Sequence, residues 1–206
     1  LKLLYQTHSP FARKALVFAH EAGLADRIQV IHHETSPTAR NAEVFALNPL
    51  GKVPVLLTDE GEAIFDSGVI CQYLDAEHGG MSLIPTNPAK RVAALRLQAV
   101  ADGLSEAGIL VRWETVRRPP DLRYPPLAEG HLAKVADGCA WLEASFQPHE
   151  IPGLAEVAIA TALSWLAFRQ ILDVSAACPR LWAWYETFEQ RPSMRATALA
   201  GDTVDH

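Results

Sequence analysis

The stretch "NPLGKVPVLLTDEGEAIFDSGVI", residues 48–70, carries three local patterns in close succession. "VPVLL" and "EAIF" are short β-prone runs on either side of the turn "DEGE", and together they predict a β-hairpin. Pro54 has no N–H to give to a ladder, so it belongs at a strand start or on an edge. A cis peptide bond before Pro54 fits this place, because only X–Pro bonds adopt cis at low cost. Such a kink turns the backbone N–H and C=O of Val53 outward, where they can pair with the backbone of an extended peptide ligand. A plain edge strand protected by its proline is the competing explanation. Asp66 and Ser67 then precede an apolar helical pattern through Ile70, Tyr73 and Leu74 that closes at Gly79. An acid there suits an N-cap at the positive end of a helix. The same carboxylate and hydroxyl can also hold an ammonium and a carboxylate together, as the α-amino-acid end of a ligand presents them.

Upstream, "LKLLY" and "RIQVIHH" read as strands and "FARKALVFAHEAGL" between them as a helix stopped by Gly23. A second helix is expected around "TARNAEVFAL". The order predicted for residues 1–78 is therefore β-α-β-α-β-β-α. Within it, Ser9 stands directly before Pro10, which matches an N-cap followed by the proline favoured at the first helical position. The Glu or Gln of a full capping box is absent, since Ala12 occupies that place.

Downstream the texture changes. "GGMSLIPTNP" interrupts the pattern, and residues 79–87 are expected to be a linker. Residues 88–206 show no strand. "AKRVAALRLQAVADGLSEAGILVRWETVRR" reads as one long helix with an apolar stripe at Leu97, Val100, Ala101 and Leu104. The prolines of "RRPPDLRYPP" end it, and "LAEGHLAKVADGCAWLEASF" forms the next helix. From Leu154 to Phe168 the single charge is Glu156, which predicts a helix buried nearly all round. "PRLWAWYETFEQRP" supplies a last helix. The fold class is thus a small α/β domain followed by an all-α domain.

Bulk properties narrow the function. A formal charge of −6 argues against a nucleic-acid-binding surface. No apolar run reaches the roughly 18 residues of a membrane span, and the first residues are too short in apolar length for a secretory signal. Cys71, Cys139 and Cys178 are far apart and form no C-x-x-C, which suits a reducing cytoplasm. His32 and His33 point to opposite faces of a strand, so no metal site is expected.

Taken together, "THSPF" at 7–11, "NPLGKVPVL" at 48–56 and "FDSGVI" at 65–70 resemble, in order and spacing, the glutathione transferase superfamily. The apolar "LAEVAIATAL" helix and the tail "CPRLWAWYETFEQRPSMRAT" extend the resemblance over essentially the whole chain. It implies a thioredoxin-like N-terminal domain, an all-helical C-terminal domain and a cytoplasmic homodimer. It also implies glutathione as co-substrate, without a metal, and a small hydrophobic electrophile as its partner. At the position where family members carry tyrosine, serine or cysteine this chain has Ser9, which resembles serine-type bacterial members. Thiol exchange would lack its cysteine nucleophile, and Tyr5 lies too far from the helix to match the tyrosine type.

Carried over by motif, the resemblance implies Ser9 as catalytic residue, beside Pro10 and Phe11. Val53 and Pro54 would bind the cysteinyl backbone of glutathione, and Asp66 and Ser67 its γ-glutamyl end. Lys52 and Arg40 are candidates for its glycine carboxylate. His8, Leu110 and Trp113 are candidates for contact with the electrophile. At the start of the 154–168 helix, Gly153 replaces the family's usual Ser or Thr cap, so only the Glu156 half of that box is expected. Two other readings keep the same fold: a non-catalytic binding or scaffold protein, and a glutathione-dependent peroxidase or dehalogenase.

Overall fold

A computed structural model of the chain describes residues 1–203. The last three positions of the expected helical domain, 204–206, lie outside the described residues. Strands β1 (Lys2–Tyr5), β2 (Gln29–His32), β3 (Val55–Leu57) and β4 (Ala63–Phe65) form one sheet in the order β2-β1-β3-β4. β1 and β2 are parallel, with Leu3 opposite Val30, while β1–β3 and β3–β4 are antiparallel. The crossover from β1 to β2 is helix α1 (Pro10–Glu21), and α2 (Ala42–Leu47) leads to β3. The hairpin over β3 and β4 and helix α3 (Ser67–Glu77) complete the β-α-β-α-β-β-α order expected from the sequence. Leu3, Leu4 and Tyr5 are all buried because β1 is central and covered on both faces, so its pattern is continuous rather than alternating. Burial also pushes the Tyr5 phenol up to about 12, and the residue sits on the strand as expected.

α2 starts later than the expected stretch from Thr38. Asn41 caps it, its Oδ1 accepting from the N–H of Glu43 and Val44 at 3.0 and 3.3 Å, which holds the preceding residues out of the helix. The helical half comprises α4 (Pro88–Arg112), α5 (Pro125–Ser145), α6 (Leu154–Phe168), α7 (Val174–Ala177), α8 (Pro179–Glu189) and α9 (Pro192–Ala196). Two of these, the short α7 and α9, were not expected. The long helix anticipated through Arg118 is α-helical only to Arg112 and continues as a wider π-turn over Trp113–Arg117. Among the described residues no helix is long and apolar enough to cross a membrane.

α6 is buried from Leu154 through Leu166, as its composition predicts. It crosses α4 closely: a Cβ on Gly108 would lie 2.7 Å from the Trp165 ring. The glycine at the start of α6 has its own packing reason. A side chain on Gly153 would collide with the carbonyl oxygen of Leu83, which accepts the Leu154 N–H at 3.1 Å. Glu156 supplies the remaining half of the cap, its Oε2 accepting the Gly153 N–H at 2.9 Å.

Helix α1 lies between the sheet and the helical half, and every residue from Ala12 to Ala19 is buried. Two of them are cations. Lys14 pairs with both carboxylate oxygens of Asp102 on α4, at 2.6 and 2.7 Å. Arg13 donates to Ser164 of α6, to Glu189 of α8 at 3.3 Å, to the Met194 carbonyl at 3.0 Å and to Thr197 at 3.3 Å. Buried charge is tolerated only with such complete pairing. The pairing also fixes α1, and hence its N-terminus, against the helices.

Candidate active site

A cavity of about 500 Å³ opens where the N-terminus of α1 faces the C-terminal end of α4. Of the residues singled out in the sequence, His8, Ser9, Pro10, Phe11, Lys52 and Val53 line it from the sheet side, and Leu110 and Trp113 from α4. Arg40, Pro54, Asp66 and Ser67 do not line it. Arg40 is exposed and stacks on the Phe45 ring, 3.6 Å from its centre, which leaves Lys52 as the cation of the pair on the cavity wall.

Ser9 is the N-cap of α1. Its backbone is extended, and its Oγ accepts the Ala12 N–H at 3.2 Å. The hydroxyl hydrogen has no acceptor among the described residues, so it can be donated into the cavity while the oxygen caps the helix. The positive end of α1 adds a partial charge of the sign an anion requires.

Across the cavity floor, the Val53–Pro54 peptide bond is cis. No hydrogen bond from the described residues reaches the N–H or C=O of Val53. The loop before it is held by Asn48, which donates from Nδ2 to the Lys52 carbonyl at 2.9 Å, and by Thr35, which donates to the Gly51 carbonyl at 3.1 Å. Beyond β4, Asp66 caps α3 with Oδ1, accepting from Gly68 at 2.8 Å and Val69 at 3.2 Å. Its φ of +70° is one that a side chain rarely adopts, a local strain of the kind often stored at functional positions. Its other carboxylate oxygen has no partner among the described residues.

His8 is buried against the cavity. Its Nε2 has no hydrogen-bond partner among the described residues and lies 3.6 Å from Glu34 Oε2. Burial lowers its pKa below the usual 6.5; Glu34 opposes the shift and Arg169 adds to it. The imidazole is therefore neutral near pH 7. The ring nitrogen of Trp165 donates to the His8 carbonyl at 3.0 Å and fixes this turn to α6.

Several lining residues were missed in the sequence: Gln6 and Thr35 on the sheet side, and Arg112, Arg117 and Arg169 on the helical side. Arg169 carried a signal, since it is the first charge after the almost uncharged run 154–168. Arg112 stands beside Trp113, which was singled out. Among the described residues no group of three or more His, Cys, Asp or Glu is arranged to hold a metal ion.

Residues 8–77 match the model of the glutathione S-transferase N-terminal domain. The chain is 32% identical over 184 residues to the uncharacterized GST-like protein YibF of Escherichia coli, with 83% of this chain and 84% of that protein covered. A glutathione transferase family member from Pseudomonas fluorescens, solved with bound glutathione, superimposes with a TM-score of 0.90 at 36% identity, covering 97% of this chain and 99% of that one. The same comparison with a Pseudomonas fluorescens family member bearing S-(propanoic acid)-glutathione gives 0.87 at 36% identity, over 98% and 100% of the chains. The chain belongs to the glutathione S-transferase family, with a thioredoxin-like N-terminal domain and a helical C-terminal domain.

Proposed function

We propose that the protein is a serine-type glutathione transferase, in which Ser9 stabilises the thiolate of glutathione for attack on a small hydrophobic electrophile. The observation that carries this is the Ser9 hydroxyl, which lines the cavity with its oxygen on the N-terminus of α1 and its hydrogen uncommitted. Val53, with both backbone groups free of partners among the described residues, pairs with the cysteinyl backbone. Asp66 and Ser67 take the γ-glutamyl end at the head of α3, and Lys52 takes the glycine carboxylate. Solved relatives that hold glutathione and its S-(propanoic acid) derivative support glutathione as the ligand of this reading. Residues 1–78 then supply the glutathione site, 79–87 the linker and 88–206 the electrophile's wall. A homodimer and a cytoplasmic location belong to this reading.

The magnitudes suffice. A free thiol has a pKa near ~8.5 and is mostly protonated at pH 7. Lowering it by about two units takes about 2.7 kcal/mol of selective stabilisation of the anion. One hydrogen bond to a charged group gives about 1.5–3 kcal/mol, and a helix N-terminus about 0.3–1. The Ala12 N–H bonded to Ser9 Oγ polarises the hydroxyl and strengthens it as a donor.

The rate of conjugation of glutathione to 1-chloro-2,4-dinitrobenzene tests the reading. Ser9→Ala is expected to lower kcat by about 10–100-fold, the loss of one charge-assisted hydrogen bond. Glutathione affinity is expected to change less than threefold, since the thiol carries little of the binding. Equal rates in both proteins would leave Ser9 as a helix cap alone.

A further inference from the structure

The parallel pairing of β1 and β2 ends with Tyr5 opposite His32, and the His33 N–H donates to the Tyr5 carbonyl at 3.0 Å. The chain leaving the two strands therefore runs side by side at one end of the sheet. Gln6 and His8 follow β1 there, and Glu34 follows β2. Gln6 Nε2 donates to Glu34 Oε2 at 3.1 Å and to the Thr35 carbonyl at 2.9 Å. This holds the Glu34 carboxylate beside His8, whose Nε2 is buried and lies 3.6 Å from the same oxygen. The other ring nitrogen, Nδ1, has no hydrogen bond among the described residues. A Cβ on Gly201 would still be 4.0 Å from it, so the glycine leaves that nitrogen open.

A thiolate formed in this cavity leaves a proton to be placed. Among the described lining residues, the groups able to take one up are His8 and Glu106. Glu106 is exposed on α4, the opposite wall, while His8 adjoins Ser9 in the chain and in the lining. Imidazole is also the side chain whose ordinary titration falls nearest neutral pH. The charges that face the ring are Glu34 after β2, Arg169 after α6, Asp202 after α9 and Arg112 at the end of α4. The two arginines are held on Asp202 Oδ1, at 2.8 and 3.0 Å. Burial keeps the free imidazole neutral, so the ring has a place for a proton. A thiolate on one side and Glu34 on the other both favour its cation. An acid that orients an imidazole and stabilises its charged form is a recurring device of proton transfer.

We propose that His8 is the base of the conjugation, its Nδ1 taking the thiol proton of glutathione while its Nε2–H is turned to Glu34. This role rests on the glutathione transferase reading and gives the thiol proton its destination. The S–H bond breaks with its electron pair left on sulfur, and a new N–H bond forms at Nδ1. Sulfur then attacks the electrophile and the leaving group departs as an anion. The imidazolium returns its proton to solvent as the product leaves. Ser9 and His8 divide the work, the hydroxyl donating to the thiolate and the ring holding the proton. Glu34 and Gln6 are positioning residues that act through His8.

The test is nuclear magnetic resonance of the protein carrying isotope-labelled histidine, with the His8 Cε1 signal assigned by its absence from His8→Gln. Glutathione near pH 7 is expected to move this signal to the imidazolium position. S-Methylglutathione, which has no thiol proton, is expected to leave it at the neutral one. Glu34→Gln is expected to lower the pH at which the ring titrates in the glutathione complex, and it identifies the signal if His8→Gln does not fold. In the conjugation of 1-chloro-2,4-dinitrobenzene, His8→Gln is expected to lower kcat about 100-fold near neutral pH, the low end of a general-base contribution. The loss shrinks as the pH rises and solvent takes the proton. A ring that stays neutral while ultraviolet absorbance shows a bound thiolate overturns the base and leaves the transferase reading intact. A ring charged equally by S-methylglutathione overturns it too, and so does an unchanged rate in a folded His8→Gln. Glutathione bound without a thiolate overturns the thiolate reading, and the base with it.

Discussion

The two walls of the cavity are built from different materials. The sheet-side wall is mostly backbone and its caps: the Ser9 hydroxyl on the start of α1, and the Val53 groups beside a cis bond. The helical wall is made of long side chains, Arg112, Trp113, Arg117 and Arg169, brought together from α4, the π-turn and the end of α6. Backbone devices depend on a few neighbouring residues and suit a ligand that is always the same. Side chains on packed helices can be exchanged one at a time without refolding the element, which under the proposed function suits the part of the site that would choose among electrophiles. The sheet-side wall therefore reads as the fixed half and the helical wall as the selective half.

The contrast requires that the walls be held together, and Arg13 does this through four partners on α6, α8, α9 and the residue following it. Arg13→Met is expected to give the largest effect. It strands buried polar partners at a cost of about 3–5 kcal/mol, which for a chain of this size lowers the thermal midpoint by about 10 °C. A differential scanning calorimetry trace unchanged from the native protein would show that the walls are not coupled at this point.

A smaller effect sharpens the assignment within the sheet-side wall. Lys52 lines the cavity, while Arg40 is stacked on Phe45 outside its lining. Lys52→Ala is expected to weaken glutathione binding by about 2–5-fold, the size of an exposed charge pair. Arg40→Ala should leave it nearly unchanged, and titration calorimetry on the two variants decides which cation belongs to the site.

The smallest expected effect is one of pH. Burial lowers the His8 pKa in the folded protein below its ordinary 6.5. The unfolded chain then binds the proton more readily, so His8 contributes stability that is complete above about pH 6.5 and is lost as the pH falls toward the folded value. Urea titrations between pH 8 and pH 5 should show stability falling on acidification. His8→Gln should flatten part of that slope; a slope identical in the two proteins would mean that His8 is not buried neutral.

How much of this was legible follows from the same contrast. Ser9–Pro10, the hairpin around Pro54 and Asp66–Ser67 are short-range patterns, and each was readable from adjacent residues through its capping or turn chemistry. The alternation of elements and the buried α6 followed from hydrophobic spacing. Arg13 and Lys14 were hidden because a cation inside a helical run reads as a solvated face. Their burial comes from partners 88 or more residues away. Arg112, Arg169 and Asp202 were hidden for the same reason, since no local rule joins the end of α4, the end of α6 and the segment past α9. The start of α2 was misjudged because Asn41, rather than an earlier residue, supplies the cap.

The central claim is that Ser9 does more than cap α1. Ultraviolet absorbance of the thiolate of bound glutathione, followed against pH in the native protein and in Ser9→Ala, tests this most directly. In the native protein the bound thiol is expected to titrate about two units below the free value of ~8.5, and in the variant to return most of the way. A bound thiol with the same titration in both proteins would contradict it.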